Sequence, residues 1–395
     1  MHMALDAYRA LLYVHALWWR FLMAIGMYIH RLPHPRPLAP TFTRYIPTTL
    51  AAHRGTLRLV FYTPPDYNHP YAPSKQNPSP SPSPNTITSD TDHPENPDAN
   101  RPKRNPRHPC IINFHGGGFT MGTATDDAHW ATAVVRQAGT VVCSVDYRLA
   151  PLYPFPTAVE DGADAVLWVH DHAEELGVDP ERIGVSGFSA GGNMAISVPL
   201  RVQEELSRRR GVELYPLQAQ DGDVDGEENG DGEDGEDAAR ATSDKNKHKL
   251  IKLVVAFYPS TDYTRSRASR RATLKHPHTA LPRILTHLFD ASYLYPPQSV
   301  LRDSPYLSPG VAPDALLRLL PDEFVLCTCE FDMLLAEDER FRDRLRELGK
   351  RVWYRMVEGV PHGWDKMPNL FGVAPGVEEC YREACREIKR VFHGE

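Results

Sequence analysis

Three side chains of this chain have the types and settings for nucleophilic chemistry. Ser189 lies in RIGVSGFSAGG at 182–192, with Gly187 and Gly191 on either side at G-x-S-x-G spacing. A serine hydroxyl is a weak nucleophile near neutral pH and needs an adjacent base. His362, in VEGVPHGWD between a proline and a glycine, sits on a loop after an apolar run and has the chemistry to take that proton. Asp332, directly after VLCTCEF, can orient an imidazole. HGGGF at 115–119 follows the apolar run CIINF, and three successive glycines let backbone N–H groups approach a substrate oxygen unhindered. Together these are the parts for attack on a carbonyl through a covalent acyl intermediate. Each part alone is weak: the pentapeptide also fits a plain Gly/Ser loop, and a lone loop histidine or aspartate is more often a surface or capping group.

The elements that must hold these residues can be read from periodicity. Ile183 and Val185 mark a short buried strand, and NMAISVPLRVQEELSRRR at 193–210 has helical spacing with a basic end. Ser189 therefore falls on a tight strand-to-helix turn, over a helix N-terminus that favours developing negative charge. Further strands are expected at 57–62, 110–114, 140–145, 250–259, 322–332 and 352–357. Helices are expected at 127–137, 158–172, 337–348 and 376–392. This alternation predicts an α/β fold, a mostly parallel central sheet covered by helices on both faces. Reactive groups then belong at the C-terminal ends of strands, where Ser189, Asp332 and His362 fall.

Two segments differ from the rest of the 395 residues. Residues 66–107 are dense in Pro, Ser, Asn and charge, and 215–248 contain DGDVDGEENGDGEDGED. Neither has enough apolar surface to offset ordering entropy, so both read as disordered insertions. The remaining 319 residues suit one large α/β domain. The net charge of −7 is concentrated in ten acids at 221–237, and the rest of the chain carries +3. Nothing in it points to nucleic acid. Asp221, Asp223, Asp225 and Gly226 imitate the start of an EF-hand calcium loop, but the twelfth position is Gly232 rather than glutamate. A solvated acidic linker is the expectation there. Six scattered cysteines have no zinc or disulfide spacing and read as buried thiols of a reducing compartment.

The N-terminal run AYRALLYVHALWWRFLMAIGMYIHRL at 7–32 is strongly apolar and is closed by Pro33, Pro35 and Pro37. His15 and Arg20 interrupt it, which disfavours a signal peptide and makes a spanning helix costly. The main expectation is a helix packed as a lid over the site in a cytoplasmic protein. Contact with a membrane surface is the next reading. Oligomeric state is not legible.

Eight pieces in fixed order carry a family resemblance: HGGGF, VDYRLAP at 145–151, FPTAVED at 155–161, GFSAGG at 187–192, YPSTD at 258–262, SPYLSP at 304–309, CEFDMLLAED at 329–338 and PHGW at 361–364. On these the chain resembles the hormone-sensitive-lipase-like, or α/β hydrolase fold-3, esterases. The resemblance implies an α/β-hydrolase fold with Ser189 as nucleophile, Asp332 as acid and His362 as base. It also implies an oxyanion hole from Gly116, Gly117, Gly118 and the N–H of Ala190, with Gly117 and Gly118 favoured. It implies a small-molecule ester substrate, with no metal and no organic cofactor. A helical cap is implied from residues 1–45 and about 263–320, over a catalytic domain of 46–395. One departure stands out: the family often has an acid before the serine, and here that residue is Phe188. This reads as altered local packing or substrate preference. Hydrolysis or transfer of a thioester, lactone or amide would use the same three residues. A silent binding protein is the remaining alternative; the plant gibberellin receptors that resemble this family lack the histidine, which is present here.

Overall fold

The computed structural model describes residues 2–67, 107–212, 249–369, 372 and 374–395. The acidic block, its calcium-like pattern and nearly all of the Pro/Ser-rich segment lie outside the described residues.

Eight strands form one sheet: β1 Phe42–Pro47, β2 Thr56–Tyr62, β3 His108–Phe114, β4 Val141–Asp146, β5 Val178–Phe188, β6 Ile251–Phe257, β7 Glu323–Phe331 and β8 Arg351–Pro361. Their order is β1-β2-β4-β3-β5-β6-β7-β8. β1 pairs antiparallel with β2, and β2 antiparallel with β4. The other pairs are parallel. Every residue of β3 is buried, as expected for a continuous apolar strand covered on both faces. The central strands β3, β5 and β6 fall where the apolar runs put them. β1 has no such signal in the sequence. It is an edge strand with mostly half-exposed residues, so only its pairing with β2 reveals it. The sheet thus begins within the 1–45 segment.

Helices cover both faces. On one side lie α2 (Ala128–Ala138) and the C-terminal helix α9 (Val377–His393). In α9, Cys380, Tyr381, Ala384, Cys385 and Ile388 are buried at three- and four-residue spacing, the stripe that docks a helix on a sheet. On the other side lie α3 (Thr157–Asp171), α4 (Ala190–Arg209) and α8 (Leu335–Glu347). All six cysteines are buried and unpaired.

Among the described residues, three further α-helices and the N-terminal one remain. α5 (Arg267–Arg271) and α6 (Arg283–Tyr293) follow β6, and α7 (Asp314–Leu319) precedes β7. Leu307, Ala312, Leu317 and Leu320 belong to the main core, so the later part of the 263–320 segment packs with the sheet. The N-terminal helix α1 (His2–His30) lies against α6, where Leu12 packs with Leu288 and Tyr295. Ala7–His30 is long and apolar enough to cross a membrane by length and composition. Arg20, the residue that weakens a spanning reading, has a task in the folded chain. Its Nε donates to the Thr120 carbonyl at 2.8 Å and its Nη2 to the Ala150 carbonyl at 2.9 Å. Arg9 reaches the Pro151 carbonyl in the same way at 2.9 Å. Two cations on one helix thus tie α1 to the loops that follow β3 and β4.

Candidate active site

β5 ends at Phe188 and α4 begins at Ala190, so Ser189 alone makes the turn between them. Its backbone is left-handed, with φ +55° and ψ −113°, a conformation costing a non-glycine residue about 1–3 kcal/mol. Strand and helix meet closely here. A Cβ on Gly187 would collide with the Gly191 carbonyl, and one on Gly191 with the Phe114 carbonyl. The Ser189 N–H donates to the Phe257 carbonyl at 2.9 Å, which pins the turn to β6.

The structure brings the three candidate groups together. The Ser189 hydroxyl donates to His362 Nε2 at 2.8 Å. His362 Nδ1 donates to Asp332 Oδ2 at 2.6 Å. A carboxylate can only accept, so this bond fixes the imidazole with its proton on Nδ1 and Nε2 free to accept. Asp332 is buried, and its Oδ1 accepts the Leu334 N–H at 3.0 Å. Asp332 and His362 directly follow the ends of neighbouring parallel strands β7 and β8, which explains how residues thirty apart in sequence come into contact. The Tyr258 ring stands edge-on to His362, with centroids 4.8 Å apart.

The glycine loop lies opposite. Gly116, Gly117 and Gly118 line the same cavity as Ser189, and Ala190 is the buried first residue of α4. Gly117 has φ +117°, and a Cβ there would overlap the Met121 carbonyl. His115 does not reach the cavity chemistry. It is buried and stacks on Tyr147 at 4.2 Å, and the Tyr147 hydroxyl donates to the His115 carbonyl at 2.8 Å. Among the described residues, the non-glycine positions with left-handed backbone are Phe119, Ser189 and Tyr258. They border this one site, where strain is expected to concentrate.

The cavity measures about 530 Å³. Trp19, Leu22, Met23 and Met27 of α1 form part of its wall, and Leu281, Pro282, Leu285 and Phe289 form another part. The wall is mostly apolar, and α1 roofs it. Its charged members are Asp126, Asp127 and Lys366. Burial pushes the Asp126 carboxyl above the usual range. Lys366 Nζ pairs with Asp127 at 2.8 Å and Asp365 at 3.2 Å. Burial favours its neutral form, but the two carboxylates outweigh that and hold its pKa above the ordinary value.

Several recognisable motifs prove to be tethers. Arg148 of VDYRLAP pairs with buried Asp161 of FPTAVED. Asn193 Nδ2 donates to the carbonyls of Ser260 at 2.7 Å and Leu307 at 2.8 Å, joining YPSTD and SPYLSP to α4. Glu337 accepts the Thr261 N–H at 2.9 Å and pairs with buried Arg270. Burial raises the Glu337 carboxyl to about 7. Sequence reading missed Lys366, Asp127 and Tyr258 as parts of the site. Tyr258 directly follows β6 and opens YPSTD, and Lys366 lies just past PHGW, but nothing in either segment or around Asp127 marks the three as neighbours, and their meeting is visible only in three dimensions. Among the described residues no group of three or more His, Cys, Asp or Glu is placed to hold a metal ion.

Comparison with known proteins agrees with this architecture. A family model described as alpha/beta hydrolase fold matches residues 111–366. The carboxylic ester hydrolase LipN of Mycobacterium tuberculosis is 30% identical over 302 residues, 74% of this chain and 66% of its own length. The arylacetamide deacetylase of Oryctolagus cuniculus is 30% identical over 309 residues, 70% of this chain and 73% of its own. An AB hydrolase superfamily protein of Schizosaccharomyces pombe is 28% identical, over only 62% of its length. Of solved structures, the carboxylesterase EstE1 cloned from a metagenomic library superposes with a TM-score of 0.64 at 25% identity, covering 95% of this chain and 97% of that one. With the matching model spanning well over half of its residues, the chain belongs to the hormone-sensitive-lipase-like alpha/beta hydrolase fold-3 family.

Proposed function

We propose that this protein is a serine hydrolase that cleaves carboxylic esters of small to medium apolar substrates through an acyl-enzyme. The observation that carries the reading is the unbroken hydrogen-bond chain from Ser189 through His362 to Asp332, opening into an apolar cavity. His362 Nε2 removes the Ser189 proton as the oxygen attacks the carbonyl carbon. The resulting oxyanion is held by N–H groups of the 116–118 glycines and Ala190, each worth roughly 3–4 kcal/mol in such sites. The imidazolium returns its proton to the leaving alkoxide, and the alcohol departs. Water then attacks the acyl carbon with His362 again as base, releasing the acid and restoring Ser189. Asp332 keeps the imidazole oriented and stabilises its charged form. This mechanism uses no metal or organic cofactor.

The test is a p-nitrophenyl ester series from acetyl to hexadecanoyl. Turnover is expected for short and medium chains, falling once the acyl group outgrows the cavity. A folded protein with no turnover on any chain length would overturn the reading in favour of a silent binding site.

We also propose that α1 contacts a membrane surface while remaining the roof of the site. Its outward face carries Leu11, Val14, Trp18, Phe21, Ile25 and Tyr28, all exposed and spaced by three or four residues. Arg9 and Arg20 hold the opposite face to the hydrolase body, so the helix lies in the interface plane. Trp18→Gln with Phe21→Gln is expected to weaken co-sedimentation with phosphatidylcholine vesicles at least ten-fold, since each ring carries about 1.5–3 kcal/mol of burial. Undiminished co-sedimentation would remove this face from the contact.

A further inference from the structure

The ammonium of Lys366 lies where three chain segments meet. It stands over the Phe188 ring, 3.6 Å from the centroid. The ring of Phe188 also stacks on Phe257 at 4.4 Å and meets Trp130 edge-on at 6.2 Å. Phe188 adjoins Ser189, so this contact bears on the nucleophile turn. The second contact is the 2.8 Å ion pair with Asp127, directly before α2. The other oxygen of Asp127 accepts Asn113 Nδ2 at 2.8 Å, and Asn113 is three residues before Gly116, the first of the glycine loop. The third segment is its own. Lys366 closes the short helical turn Trp364–Lys366, which begins two residues after His362. Its neighbour Asp365 is held by the hydroxyls of Tyr258 and Tyr381. All of these partners are buried, and the Lys366 side chain is 17% exposed.

We infer that Lys366 is a positioning residue of this active site, a single mostly buried cation that locks the nucleophile turn, the base loop and the glycine-loop side to one another. The inference rests on the hydrolase reading above. It also gives the Phe188 departure a physical role. Where an acid would pair with the lysine directly, this chain offers a ring face to the ammonium and draws its carboxylates from Asp127 and Asp365. The lock matters because proton transfer from Ser189 needs His362 within hydrogen-bond reach, and a misplacement of about 1 Å costs on the order of 100-fold in rate.

Lys366→Met leaves two buried carboxylates short of a counter-charge, so the deciding variant is the charge-balanced Lys366→Met with Asp127→Asn. Its kcat on p-nitrophenyl butyrate and its rate of Ser189 labelling by a fluorophosphonate are both expected to fall about 10- to 100-fold. KM is expected to stay within about two-fold, because the loss is in alignment. Lys366→Arg, which keeps the charge and the ring contact, is expected to retain most of the wild-type kcat. A folded double variant with wild-type kcat and labelling rate would overturn the inference. So would Lys366→Arg falling as far as the double variant at an unchanged melting temperature. Should the charge variants fail to fold, Phe188→Leu decides: a three-fold or larger fall in kcat at constant KM supports the lock, and an unchanged kcat overturns it. A wild type that is neither labelled nor active would instead bring down the hydrolase reading itself.

Discussion

Ser189→Ala is expected to lower kcat on p-nitrophenyl butyrate by about a million-fold while the melting temperature stays where it is. The magnitude follows from the chemistry: without the hydroxyl no acyl-enzyme forms, and only binding and the backbone donors remain to help water attack. The stability expectation follows from the site. The Ser189 side chain bonds to His362 at the cavity, and the close strand-to-helix contact depends on the flanking glycines. Steady-state kinetics and calorimetry on the same preparation check both. Turnover surviving above a thousandth of wild type would take Ser189 out of the nucleophile role.

Asp332→Asn is expected to cost about ten-thousand-fold in kcat, by reversing the imidazole tautomer. The reason lies in how the carboxylate is shared. Asp332 Oδ1 accepts the Leu334 N–H, so in the variant the amide oxygen is held on that side. The amide NH₂ then faces His362 Nδ1, where the carboxylate oxygen stood. Two donors cannot bond to each other, so Nδ1 gives up its proton and Nε2 takes one. Nε2–H then meets the Ser189 hydroxyl and cannot accept its proton. Binding of substrate, read as KM, is expected to change little. A loss of less than ten-fold would mean that the orientation of His362 does not depend on this carboxylate.

Much of the architecture is legible in the amino-acid sequence. Continuous apolar runs such as CIINF are long enough and uniform enough to announce buried parallel strands. The order Ser189, Asp332, His362 at strand ends announced where a site would form. Element ends shifted by one or a few residues, since the terminal turns are set by neighbours rather than by pattern. β1 escaped notice because an edge strand carries no continuous apolar run.

The local requirements of the site were likewise written in the chain. Gly187 and Gly191 are dictated by how closely β5, α4 and β3 approach, and a glycine pair around a serine states that approach in one dimension. The roles of other residues could only come from folding. Arg20 reads as a charge that spoils an apolar helix, yet it ties that helix to the Thr120 and Ala150 carbonyls, 100 and 130 residues away. Phe188 read as a lost charge, yet the ammonium of Lys366 sits on its ring. Phe188 and Lys366 are 178 positions apart, and no pattern within either segment encodes the other. Sequence alone determined what short-range sterics and periodicity control: strands, the strained turn, and which residues are candidates to react. The tertiary structure decided which distant charges meet, because burial makes an unpaired charge so costly that its partner is chosen by the packing of the whole domain.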